Sequence, residues 1–197
     1  MAVGAISRTV IPHDKRPTAA DLGEHTMTTT QTMPVIASGG YVLDPTASEV
    51  AITARGAFGA RVQASIDLVD VQVDVAADPS ASRAQATFDM SSFQSGNGRR
   101  DKDIRNRFFR ADENPTMTFT STRLQVGADG GWELAGRLEY RAACDITLAL
   151  SVLKADERGI LARGTATVDR YACGVTKGRG LVWRWVDVMI SVRLGRV

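Results

Sequence analysis

The segment SSFQSGNGRRDKDIRNRFFRADENPTMTFTST, residues 91–122, places one short helix between two strands. Ile104 and Phe108 lie four residues apart with Phe109 beside them, and arginines fill the other positions, which matches the helical period of about 3.6 residues. Pro115 ends this pattern, and the Thr-rich run after it is typical of a strand. We therefore predict a short amphipathic helix near residues 99–110 that packs its apolar face across an end or a wall of a β-structure.

From Tyr41 onward the rest of the chain alternates apolar and polar residues with a period of two. Segments such as DITLALSV (145–152) and ARGTATVDR (162–170) place apolar side chains on one face only. We count about eight such segments joined by short turns, which predicts an antiparallel meander closed into a barrel or a sandwich. Closure would also remove the unpaired edges of an open sheet.

Two features of this pattern concern the inside of the sheet. In RVQASIDLVDVQVDV (61–75) the apolar positions change face between Leu68 and Val69, which predicts a bent strand or two strands that share a corner. Elsewhere, small residues occupy inward positions that large residues would otherwise fill. An eight-stranded interior is either packed solid or holds one small ligand, and both alternatives remain open here. These small residues are Ala84, Ala86, Ala162, Gly164 and Ala166.

The composition predicts one domain. The chain has 197 residues, 44% of them hydrophobic, and a net charge of +2. Residues 1–40 are predicted to be a flexible N-terminal extension, with an arm ordered against the barrel or a partner as the alternative, and residues 41–197 form the folded domain. No segment has the roughly 20 apolar residues of a transmembrane helix, and the N-terminus lacks a signal-peptide pattern. We therefore expect a cytoplasmic protein.

Histidines and cysteines limit the chemistry that the domain can perform. His13 and His25 both lie in the N-terminal segment, so a catalytic triad or a histidine metal site is not expected in the domain. Cys144 and Cys173 alone cannot complete a zinc site, and in a reducing compartment free thiols are favoured over a disulfide. No phosphate-binding glycine loop is present, and no metal or cofactor is expected.

A series of motifs in this order resembles the YceI-like family, which comprises lipid- and polyisoprenoid-binding proteins with a lipocalin-like barrel. The resemblance covers residues 41–197 and implies an all-β fold, an eight-stranded antiparallel lipocalin-like barrel. Asp103 stands where the family usually has histidine, and Arg110 stands where it usually has an acid. The matching residues are Tyr41, Leu43, Asp44, Pro45, Ser95, Gly96, Asn97, Arg100, Asp101, Arg105, Phe108, Phe109, Pro115, Thr118, Phe119, Ser121 and Thr122.

This resemblance implies a protein that takes a long apolar ligand, an isoprenoid or fatty-acid-like lipid, into the barrel for carriage, storage or sequestration. Each buried methylene would contribute about 0.8 kcal/mol before association costs. Asn97, Arg100 and Arg105 are the candidate head-group residues, with a solvated helix face or helix capping as the alternative. The candidate lining residues are Val62, Ile66, Phe88, Phe108, Phe109, Phe119, Leu134, Leu138, Leu148, Leu150, Val188 and Ile190.

Other functions fit the same residues less well. A cyclase-like biosynthetic enzyme would use the pocket with Asp89, Asp101 or Asp103 as acid and a cysteine as nucleophile, but no acid pair is marked by spacing, so binding is favoured over catalysis. Nucleic-acid binding is not expected, because acids interrupt the basic helix. Trp183 and Trp185 lie opposite the apolar row of the last strand, which indicates either a homodimer contact or burial under another segment of the chain.

Overall fold

A computed structural model of the chain describes residues 36–126 and 131–197, so the predicted flexible extension lies, up to residue 35, outside the described residues, as do both histidines. One antiparallel sheet of nine strands dominates the described part. The strands are β1 (Gly39–Leu43), β2 (Glu49–Gly56), β3 (Arg61–Val75), β4 (Arg83–Gln94), β5 (Thr116–Val126), β6 (Trp132–Glu139), β7 (Ala143–Asp156), β8 (Gly159–Asp169) and β9 (Val182–Arg196).

Strands β2 to β9 form a closed eight-stranded barrel, as predicted. Each pairs with the next along the chain, and β2 pairs with β9 to close the circle. The ninth strand, β1, was not predicted from the alternation. β1 pairs with the end of β3 and the end of β9, past the point where β2 begins. β1 and β2 therefore lie end to end between the same two strands of the barrel.

The change of face in β3 is produced by a bulge. Leu68 pairs with Phe88 and Asp70 pairs with Thr87, which leaves Val69 as an extra residue without a partner across the ladder. Leu68 and Val71 are buried while Val69 is 57% exposed. The predicted bent strand is therefore confirmed, and the bulge turns the apolar Val69 outward while Leu68 and Val71 both face the interior.

The predicted helix spans residues 98–109. It begins as an α-helix, α1 (Gly98–Asp103), and continues as a π-helical segment (Ile104–Phe109) that ends at Arg110 in the left-handed conformation. We call residues 98–109 the helical segment. It lies at the end of the barrel where four connections meet, residues 57–60, 95–115, 140–142 and 170–181. We call this end of the barrel the helix end.

Candidate ligand-binding cavity

A cavity of about 610 Å³ occupies the interior of the barrel. Its size falls within the range of about 300–1,000 Å³ that is typical of small-molecule sites. The alternative of a solidly packed interior is therefore wrong. The five small residues predicted to leave volume all lie on its wall. So do all twelve residues predicted to line it, although their contact with a ligand remains a prediction: Val62, Ile66, Phe88, Phe108, Phe109, Phe119, Leu134, Leu138, Leu148, Leu150, Val188 and Ile190.

The helical segment lines the helix end of this cavity with its apolar face. Ile104, Phe108 and Phe109 line the cavity. The Phe109 ring packs edge-on against Phe93, with centroids 5.4 Å apart, and against Tyr140 at 6.3 Å. Such edge-to-face pairs are favourable beyond the area they bury. The amphipathic pattern therefore serves to seat aromatic rings on the cavity.

Polar contacts hold the helical segment in this position. The Tyr140 hydroxyl lies 3.0 Å from the carbonyl oxygens of both Phe109 and Asn114, within donating distance of each. Burial raises the pKa of Tyr140 to about 12, so the hydroxyl keeps its proton at neutral pH. Arg105 donates from Nη1 to the carbonyl of Phe93 at 2.8 Å. These bonds join the segment to β4 and to the turn after β6.

Of the predicted head-group residues, only Arg100 reaches the cavity wall. It is half-buried, and it donates from Nε to Ser95 Oγ at 2.7 Å and from Nη2 to the Ser95 carbonyl at 2.9 Å. Asn97 instead caps α1, because its Oδ1 accepts from the backbone N–H of Arg100 at 3.0 Å. Arg105 faces β4 as described above. The structure therefore does not bring Asn97 or Arg105 to the cavity.

Arg170 is a cavity residue that the sequence pattern did not single out. It is 7% exposed, and it donates hydrogen bonds of 2.7–2.9 Å to four backbone carbonyls of the connection 170–181 and the start of β9. Burial lowers its pKa. The strand alternation could have predicted this, because Val168 faces the barrel interior and Arg170, two residues further on at the end of β8, lies on the same face. The four accepting carbonyls belong to Val175, Lys177, Val182 and Trp183.

All charged residues among the described lining residues of the cavity are arginines. No Asp, Glu, Lys or His occurs among its described lining residues. Four arginines contribute to it, but Arg83 and Arg163 have exposed side chains on the outside of the barrel. Arg100 and Arg170, the two that are not exposed, both lie at the helix end. An elongated apolar ligand with an anionic head group fits this distribution of charge.

The cysteines form a disulfide, so the expectation of free thiols is wrong. Cys144 at the start of β7 and Cys173 in the connection 170–181 have Cα atoms 5.5 Å apart, which suits a bridge. Both are buried, and Cys173 lines the cavity. The expectation failed because the pairing depends on this connection folding back over β7, which local sequence does not reveal.

The disulfide and the positions of the acids bear on the enzyme alternative. Bridged cysteines offer no thiol nucleophile. Asp101 is buried but accepts from the backbone and side chain of Ser95, and Asp103 pairs with Arg107 on the outer face. Asp89 accepts from Ser91. None of the three acids lines the cavity.

Comparison with known proteins identifies the family. The sequence profile of the YceI-like domain matches residues 41–194. The chain belongs to the YceI-like family. No curated protein matches this YceI-like sequence.

Solved structures share the barrel of this YceI-like protein at low sequence identity. BcnA of Burkholderia cenocepacia is 19% identical with a TM-score of 0.68, and the match covers 77% of this chain and 98% of BcnA. A polyisoprenoid binding domain from Saccharophagus degradans is 15% identical with a TM-score of 0.62, covering 82% of this chain and all of that domain. The Campylobacter jejuni YCEI protein has 15% identity and a TM-score of 0.56, covering 93% and 99% of the two chains. At these identities the likeness establishes the fold.

Two further kinds of feature are absent from the described ranges, 36–126 and 131–197. These ranges contain no helix long and apolar enough to cross a membrane. They also contain no group of three or more His, Cys, Asp or Glu side chains placed to hold a metal ion.

Proposed function

We propose that this YceI-like protein binds a long-chain lipid, an isoprenoid or fatty-acid-like molecule, inside its barrel and acts in lipid carriage, storage or sequestration. The observation that carries the proposal is the apolar cavity of about 610 Å³ within a closed barrel. Buried apolar surface contributes roughly 25 cal/mol per Å², so a chain that fills such a cavity binds without many polar contacts. The likeness to the Saccharophagus degradans protein, a polyisoprenoid binding domain, supports the same class of ligand.

The proposed orientation places the head group at the helix end. Arg100 retains N–H groups beyond the two bonded to Ser95, and Arg170 adds positive charge at the same end of the wall. Guanidinium groups bind phosphate and carboxylate through paired hydrogen bonds. We therefore propose a phosphate or carboxylate head group beside Arg100, with the hydrocarbon chain running along β8 toward the opposite end.

The binding of a hydrocarbon chain is tested by filling the cavity. Ala166 lines it, and an Ala166→Phe substitution would place a ring in the space that the chain needs. Thr165 is the next residue on β8 and is exposed, so Thr165→Phe is the matched control. Native mass spectrometry of protein purified from its own host, with extraction of lipid, should find a ligand on the wild type and on Thr165→Phe but not on Ala166→Phe. A folded wild type that carries and takes up no lipid would refute the proposal.

The head-group orientation is tested separately with two ligands of equal chain length, a prenyl phosphate and the corresponding prenyl alcohol. A hydrogen bond to a charged group contributes about 1.5–3 kcal/mol, so Arg100→Met should weaken phosphate binding about tenfold or more and leave alcohol binding unchanged. Arg107 lies on the same helical segment with a 64% exposed side chain, so Arg107→Met is the control. Equal losses for both ligands would place the head group elsewhere.

A further inference from the structure

The helix end differs in charge from the rest of the chain. Its four connections contain ten Arg and Lys residues and four Asp and Glu residues, a net charge of +6. The described ranges, 36–126 and 131–197, contain 21 Arg and Lys and 18 Asp and Glu residues, so the described residues outside the four connections carry a net charge of −3. Within these ranges the helix end is therefore the positively charged end of the barrel. A charge distribution of this kind orients a protein toward an anionic surface.

Much of this positive charge is exposed. Arg99 and Lys102 on α1, and Lys177 and Arg179 in the connection 170–181, are all exposed. Arg179 stacks over the ring of Tyr171 at 5.0 Å, and no carboxylate within the described ranges forms an ion pair with any of the four. These side chains are therefore available to a partner.

Large apolar side chains are exposed next to this charge. Leu181 is 68% exposed at the end of the connection 170–181, and Trp183 is 41% exposed two residues later. The guanidinium of Arg55 lies 5.5 Å from the centre of the Trp183 ring. Leucine and tryptophan beside Lys and Arg are the residues that place a protein at the boundary between lipid head groups and acyl chains.

The connection 170–181, which carries part of the basic and apolar residues, packs on the helical segment, which carries the rest of the basic ones. Gly178 packs directly on Phe108, since a Cβ at Gly178 would lie 2.7 Å from an atom of that ring. The connection that carries Lys177, Arg179 and Leu181 is thus in contact with the helical segment. Phe108 lines the cavity on its inner side. We call Arg99, Lys102, Lys177, Arg179, Leu181 and Trp183 the basic-apolar surface.

We propose that the basic-apolar surface docks the protein on anionic lipid bilayers with the helix end facing the membrane. The basic residues contact anionic head groups, and Leu181 enters the interface. A nucleic acid would match the charge alone but gives no reason for the exposed Leu181, so the bilayer is the better fit. The docking does not require a ligand in the cavity, and it is therefore independent of the function proposed above.

Vesicle sedimentation of the full chain tests this proposal. The vesicles are phosphatidylcholine alone, and equal parts phosphatidylcholine and phosphatidylglycerol. We expect binding to the anionic vesicles only, weakening as salt is added. Each basic residue near an anionic surface is worth about fivefold in partitioning, so removing four should lower it several hundredfold. The test variant is Arg99→Gln, Lys102→Gln, Lys177→Gln and Arg179→Gln combined.

Two controls separate docking from other effects. Removing four exposed charges elsewhere on the barrel changes the net charge equally and should lower partitioning far less. Ala166→Phe should bind vesicles like the wild type even if it loses the lipid ligand, which keeps the two proposals distinguishable. The charge control combines Arg123→Gln, Arg158→Gln, Arg193→Gln and Arg196→Gln, all of which are exposed and none of which lines the cavity.

Leu181→Ser decides between a bilayer and a nucleic acid. Burial of a leucine side chain in the membrane interface raises the partition coefficient about tenfold or more. Leu181→Ser should therefore partition into vesicles about tenfold less and keep any affinity for duplex DNA. Equal loss by both four-charge variants would overturn the proposal. So would binding to duplex DNA as tight as to vesicles, with no effect of Leu181→Ser on either.

Discussion

Removing the Cys144–Cys173 disulfide should lower the free energy of unfolding by about 3.6 kcal/mol. The bridge joins residues 29 apart in sequence. In the chain-entropy account, closing a loop of that length removes about 12 cal/mol/K from the unfolded ensemble, which gives the stated value near room temperature. The Cys144→Ala, Cys173→Ala double variant loses this constraint. Both sites are buried, so alanine rather than serine avoids placing an unpaired hydroxyl in the interior.

Urea unfolding with and without reductant measures this change. With a denaturant dependence of about 2 kcal/mol per M, the midpoint should fall by about 1.8 M on reduction of the wild type. The double variant should unfold near the reduced wild type, and reductant should not shift its midpoint. The double variant is therefore the control for any effect of the reductant on the rest of the protein.

Two outcomes would contradict the reasoning. One is titration of two free thiols in the folded protein without reductant, and the other is a midpoint unchanged by reduction. Disulfides persist in oxidising compartments and are rare in the cytosol. The bridged fraction in protein isolated from its host without reductant is therefore also a test of the expected cytoplasmic location.

Three further changes test single contacts. Arg170→Met should destabilise the protein by about 3–5 kcal/mol in urea unfolding, because it removes four hydrogen bonds to a charged group, each worth about 1.5–3 kcal/mol, and the removal of a buried charge offsets part of this loss. Arg179→Met should cost below about 1 kcal/mol, and equal effects of the two variants would refute the assignment. Gly136→Ala should cost about 2–3 kcal/mol, since its Cβ would lie 2.6 Å from a backbone oxygen of β5, and an unchanged melting temperature would contradict this packing. Hydrogen bonding from the Ser95 side chain lowers the pKa of Asp101 below its ordinary 3.8, so its stabilising contribution is present above about pH 4 and is lost as the pH falls through the folded-state value. Below about pH 4 the free energy of unfolding should fall less steeply with decreasing pH in Asp101→Asn than in the wild type. The same pH dependence in both proteins would rule out this contribution.

Local patterns predicted most of the barrel because they depend on short-range rules. The alternation along β8 placed Ala162, Gly164 and Ala166 on the inner face, and the cavity lies where their small side chains leave room. The period of about 3.6 residues near Phe108 placed its ring against the barrel. In each case the side-chain direction follows from the backbone geometry of one element, so no knowledge of distant residues was needed.

Features that depend on distant contacts were missed or left open. Arg100 and Arg105 are equivalent in the sequence of a basic helix, but Ser95 holds Arg100 at the cavity wall while the Phe93 carbonyl holds Arg105 against β4. The alternation along β8 indicates the inward side of Arg170 but not its four accepting carbonyls, two of which belong to the connection 170–181 and two to the start of β9. No local rule predicts these partners.

By itself the sequence determined about eight alternating strands and one amphipathic helix, because periodicity dictates which face of each element is apolar. The choice of a barrel over a sandwich came from the resemblance of its motifs to the YceI-like family. The tertiary structure alone decided that the interior is hollow, that Cys144 pairs with Cys173 and that positive charge gathers at the helix end. These outcomes depend on how side chains from separate strands and connections meet, and their volumes, bonds and charges combine only once the barrel has closed.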